Sequence, residues 1–150
     1  MKPVNATVQE LPKMVLSMFI DDRRKCGWEI VENVPLGEGE ISLRLDDFLR
    51  EGEEFATGDV VLERAKAMGC LAGQLHAEHL LQRQKDVPPE WREFALIFPG
   101  TVWRGTSGLL SVPCLFWLPV YDGRWDLSLR WFNGNLSVFF YYYRLVRLNK

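Results

Sequence analysis

The chain reads as an α+β domain: two main helices packed on one face of an antiparallel sheet whose C-terminal strands form a meander. Three observations point there. Apolar residues recur at helical spacing over roughly the first 84 positions, the period falls to two after Trp91, and two hairpin dipeptides, Asp122-Gly123 and Asn133-Gly134, punctuate the last third. At 150 residues the length suits one globular domain, helical and acidic over 1–90 and β-rich, aromatic and basic over 91–150.

The elements follow in order. Thr7 can cap a first helix running to about Lys25, with Val8, Leu11, Val15, Met18 and Phe19 on one stripe and Gly27 ending it. Ile41, Leu43 and Leu45 alternate with Ser42 and Arg44, which predicts a short strand. A second helix is expected from about Asp59 to Gln84, capped by Thr57 and stopped by Pro88-Pro89. Its apolar line is Val61, Ala65, Met68, Ala72, Leu75 and His79, and Gly69 and Gly73 inside it would cost about 1 kcal/mol each relative to alanine. Beyond it, Glu93–Phe98 and Thr101–Arg104 read as strands split by Pro99-Gly100, with a turn at Gly105 to Gly108.

Two-residue loops at Asp122-Gly123 and Asn133-Gly134 would set a definite register. Trp125 would lie opposite Val120 and Tyr142, Leu127 opposite Leu118 and Phe140, Leu129 opposite Phe116 and Val138, and Trp131 opposite Cys114 and Leu136. Both hairpins then place the same apolar residues on one face. A slip of one residue in either would destroy that agreement.

The other face carries Leu115, Trp117 and Tyr121, then Arg124, Asp126, Ser128 and Arg130, then Ser137, Phe139, Tyr141 and Tyr143. Left bare, it would form an apolar patch large for a monomer. The first helix is one candidate cover. A protein partner, a second copy of the chain included, is another, because Tyr, Trp and Arg are the types enriched at binding hot spots. The partner-binding candidates are therefore Trp117, Tyr121, Arg124, Arg130, Phe139, Tyr141 and Tyr143. An alternative on the same face is a small planar ligand or nucleic acid, its bases stacked on Trp117, Tyr141 or Tyr143 and its phosphates on Arg124 and Arg130. The sequence pI of 5.7 and the lack of an RNP-type motif weigh against nucleic acid.

Charge is uneven along the chain. Residues 1–100 hold 12 basic and 18 acidic side chains, whereas residues 101–150 hold six basic and two acidic ones together with 12 of the 19 aromatics. A basic, aromatic third on an acidic body can attract an acidic partner.

Catalytic motifs are scarce. There is no phosphate-binding glycine loop, and Gly105-Thr106-Ser107-Gly108 lacks the spacing of a nucleophile elbow. The one metal-like spacing is His76-Ala77-Glu78-His79, where His76 and His79 could share an ion only with ligands from elsewhere, such as Asp21, Asp22 or Glu54. That pattern defines a second alternative, a metal-dependent enzyme. The primary reading is a non-enzymatic binding or interaction protein with no cofactor and no metal, homodimerisation included.

The apolar runs Met14–Ile20 and Val138–Tyr143 fall far short of a membrane span. With no secretory leader evident and three cysteines (Cys26, Cys70, Cys114), an odd number, the expected location is the cytoplasm. The stretch from Phe98 to Arg104 and the Trp-rich hairpin have the character of small bacterial accessory-gene proteins, and no family signature is carried.

Overall fold

The computed structural model describes residues 5–8, 19–132 and 137–149. Among them are ten strands and two α-helices: β1 (Asn5–Val8), β2 (Glu29–Glu32), β3 (Ile41–Asp46), β4 (Phe55–Thr57), α1 (Gly58–Met68), α2 (Gln74–Gln82), β5 (Ala95–Ile97), β6 (Val102–Arg104), β7 (Leu110–Leu118), β8 (Arg124–Trp131), β9 (Val138–Phe140) and β10 (Tyr143–Leu148). The class is α+β. Eight strands join one sheet in the order β1-β3-β10-β5-β7-β6-β2, with β8 on the other side of β7, while β4 and β9 form a separate ribbon. All pairings are antiparallel except that of β10 with β5.

The N-terminus departs from expectation. Thr7 is no helix cap but a strand residue opposite Ser42, in a short run whose Ala6 faces the core. Residues 9–18 of the expected helix lie outside the described residues. Its last turn is a single 3₁₀ turn, Arg23–Cys26, capped by the Asp22 carboxylate and closed at Gly27.

The long second helix is two helices. Gly69 and Cys70 both take positive φ, 73° and 52°, which ends α1. Strand β10 then captures the intervening residues. The Leu148 amide donates to the Cys70 carbonyl at 2.7 Å, Ala72 donates to Val146, and Leu71 bridges Arg147. The Arg147 guanidinium adds bonds to the last carbonyls of α1, at Met68 and Gly69. The glycines that would have weakened one helix are where the chain breaks it.

Side-chain alternation divides the core in two. Ala95 and Ile97 of β5 pack with Val61 and Ala65 of α1, whereas Leu96 and Phe98 pack with Leu75, Ala77 and Leu80 of α2. The helices, expected on one face, thus lie against opposite faces of the sheet.

The C-terminal strands β8 to β10 follow one another in a meander-like arrangement, but their ladder partners differ from those expected. Trp125 pairs Trp117, Leu127 pairs Leu115 and Leu129 pairs Pro113, three positions away from the sequence-based register. An odd displacement moves one strand's residues to the opposite face. Pairing stops at Leu118 and Arg124. Beyond that pair the Trp117 ring lies over Gly123, so close that a Cβ there would sit 2.3 Å from the ring. The loop consequently spans five residues, 119–123, with Tyr121 and Gly123 at positive φ.

The second hairpin also fails in its pairing. Asn133-Gly134 lies outside the described residues, and β9 pairs β4 rather than β8, with Val138 opposite Thr57 and Phe140 opposite Phe55. Strand β10 inserts between β3 and β5.

The Trp117–Gly123 contact can be tested by substitution. Gly123→Ala combines an overpacked ring contact with a left-handed backbone and should cost about 2–4 kcal/mol. Gly108→Ala shares the positive φ but meets nothing within 4 Å, and should cost about 1 kcal/mol. Urea unfolding that showed equal losses for both would remove the ring from the account.

Candidate functional site

The altered register scatters the expected binding face. Leu115 is fully buried and Trp117 half-buried, its ring edge-on to Trp125 at 5.7 Å and capped by the Arg92 guanidinium at 4.0 Å. Tyr121 and Arg124 are exposed at the loop end of the β7–β8 hairpin. Phe139 and Tyr143, expected on the outer face, are buried, and of the three rings expected there only Tyr141 is open, 70% exposed. The seven candidates therefore fall into three places rather than one.

Arg130 organises the buried group. Its guanidinium donates to the Tyr143 hydroxyl at 3.2 Å and to the carbonyls of Trp131 and Val138 at 3.0 and 2.9 Å. It also lies 4.7 Å over Phe139, whose ring packs against Phe132 and Tyr143 at 4.7 and 5.0 Å. Arg130 holds the end of β8 to β9 and β10, which no ladder joins. Burial pushes the Tyr143 phenol up, opposed by that guanidinium.

The exposed group is the one the register hid. Phe140 and Tyr142, expected in the core, stand on the surface with Tyr141 and with Phe55 of β4. Phe55 and Phe140 are cross-strand partners with ring centres 6.1 Å apart, and Tyr142 stacks on Phe140 at 6.1 Å with planes 17° apart. Tyr141 meets Tyr142 edge-on at 5.8 Å. A ridge of four rings results, anchored beneath by Phe139 and Tyr143. Arg144 is turned back onto the Tyr141 and Tyr143 carbonyls and over the Phe94 ring at 4.4 Å. Phe55 carried no sequence signal, because a three-residue strand has too little alternation to read.

His76 and His79 sit inside α2, every residue of which from Gln74 to Leu80 is buried. The Gly73 amide donates to His76 Nδ1 at 3.0 Å. The rest of the helix's polar chemistry is also internal. The Trp103 indole donates to Gln74 Oε1 at 2.6 Å, and the Ile20 and Asp21 amides donate to the Glu78 carboxylate at 3.0 and 2.7 Å. Asp21 and Asp22, possible imported ligands, pair instead with Arg23 and Arg24. Arg24 holds the Asp22 carboxyl down at about 2. Among the described residues no three His, Cys, Asp or Glu side chains gather to hold a metal ion. A groove of about 470 Å³ near Ile41 and Leu148 has Glu38, Glu40 and Cys70 in its lining and neither imidazole. Cys26 and Cys70 are exposed, while Cys114 is buried and its thiol is pushed far up by desolvation.

Searches against protein-family models, curated proteins and solved structures find no match to the chain. No helix among the described residues is long and apolar enough to cross a membrane.

Two outcomes are expected. Phe139→Ala should cost about 3–5 kcal/mol in urea unfolding and Tyr141→Ala less than about 1 kcal/mol, and similar losses would dissolve the division between anchor and ridge. Burial holds the Cys114 proton on in the folded state, so the unfolded chain releases it first as pH rises. Stability should fall as pH rises above about 9, and Cys114→Ala should flatten that slope, most clearly below pH 10, above which Tyr143 adds its own loss.

Proposed function

We propose that the protein is a non-enzymatic interaction protein that engages a protein partner through the ridge of Phe55, Phe140, Tyr141 and Tyr142. The observation that carries this reading is the contrast within one turn of chain. Phe139 and Tyr143 are locked in the core, and the three rings between them are held out in solvent by that anchorage. Rigid aromatic rings gain contact area at small entropic cost, which is why Tyr and Trp lead at binding hot spots.

Charge argues for protein over nucleic acid. Arg130 and Arg144, which lie beside the chain that carries these rings, are spent on protein carbonyls and ring faces. Arg124 stands at the far end of β8, about 20 Å along the strand from Arg130. Stacked bases at the ridge would find both of these guanidinium groups already engaged rather than open to their phosphates.

A photo-crosslinking side chain placed at position 141 tests this in the cells that make the protein. A dominant protein adduct is expected there and not with the same group at Glu51, which is also exposed. Nucleic-acid adducts at 141, or the same adducts from both positions, would overturn the reading.

A further inference from the structure

Among the described residues strand β8 is an edge, and its backbone parity can be read from two bonds. The Phe132 amide donates to Leu110 of β7 at 2.8 Å, so even-numbered residues bond inward. Trp125 instead turns both backbone groups outward, its amide donating to Gln84 Oε1 at 2.9 Å and its carbonyl accepting from Gln84 Nε2. Leu127, Leu129 and Trp131 share that outward parity, since the β7–β8 register runs without a bulge. Gln84 fills one end of the edge and the Arg130 guanidinium covers the Trp131 carbonyl at the other. Between them, the amides and carbonyls of Leu127 and Leu129 have no partner among the described residues.

We infer that this edge pairs antiparallel with β8 of a second copy of the chain, about a two-fold axis at Ser128. Leu127 of each copy then lies opposite Leu129 of the other. The four hydrogen bonds formed use the amide and carbonyl of both Leu127 and Leu129 on each copy, and Gln84 stops the ladder at either end. Charge selects the same register. Asp126 has no cationic partner and Arg130 no carboxylate partner among the described residues, and both project from one face of β8. The axis sets Asp126 across from Arg130 of the second copy, whose guanidinium keeps its positive charge while its hydrogen bonds stay within its own chain. Moving the axis by one residue, to Leu127, would set Arg124 against Arg130 instead. On the other face Leu127 and Leu129, both half-buried, cover one another, and Trp131, 59% exposed, gains a neighbour. The inference stands on β8 and is independent of the aromatic ridge.

A contact this small lies below the standard interface size, so the dimer is weak and concentration-dependent. Sedimentation of the full chain should show its average mass rising from monomer toward dimer between about 10 µM and about 1 mM. Ser128→Lys, on an exposed position that bonds no side chain, should hold it at monomer. Register is read by a disulfide. In a Cys26→Ser/Cys70→Ser background, Ser128→Cys sets two thiols across a non-hydrogen-bonded pair with Cα atoms about 4.5 Å apart, within disulfide reach. Asp126→Cys separates them by about 13 Å. Oxidation with diamide should give at least about fivefold more linked dimer for Ser128→Cys. A mass that stays monomeric throughout, or equal linkage at both positions, would overturn the pairing.

Discussion

The arrangement of the whole C-terminal third turns on how the Trp117 ring closes over Gly123. That contact keeps the β7–β8 connection at five residues and so sets the register of the ladder. Register in turn decides the faces. Trp125 goes under α2 with Leu115 and Trp117, and Arg130 goes to the opposite side, where it meets Phe139 and Tyr143. Arg130 then fastens the end of β8 to segments that no ladder joins to it. The ridge of rings stands on that fastening. A surface that looks like a local property of residues 140–142 is thus set by packing some twenty positions earlier in the chain.

Much of the fold was legible in the sequence, and the failures have physical causes. The α+β class, the β3 alternation, the β5 and β6 strands around Pro99-Gly100 and the burial of Trp125 follow from local pattern, and local pattern was readable. The hairpin register was not, because the Asp122-Gly123 signal competed with a side chain–backbone contact that no short motif encodes. The break in the long helix had its signal in Gly69 and Gly73. Whether such glycines weaken a helix or end one depends on a strand to take up residues 70–72, and β10 is some 75 residues away. The candidate site was legible as a composition, rings and arginines together, but not as a place. Alternation assigned Phe140 and Tyr142 inward and Phe139 and Tyr143 outward, and the pairing of β9 with β4 and of β10 with β5 reversed both.

Helix α2 shows how polar chemistry can be structural. A sequence with Gln, two His and Glu within six residues invites a search for catalysis. Here the Gln74 amide ties Trp103 to the backbone of Asp21, and the Glu78 carboxylate receives two consecutive amides from residues 20 and 21. Buried hydrogen-bonding groups without such partners would each cost roughly 1–3 kcal/mol. These four links instead bind a loop without regular structure to the middle of the molecule, and they fix which way α2 is turned between the sheet and that loop.

The position of β10 has a consequence for synthesis. It is the last strand in order among the described residues, yet it lies between β3 and β5 and also receives residues 70–72. Everything made before it can fold only as two partial sheets with raw edges toward each other, one around β3 and one around β7. A nascent chain must therefore hold those edges apart until residue 148 has cleared the ribosome, and the interval before that moment is when another strand, from the same or a different polypeptide, could take the vacant lane.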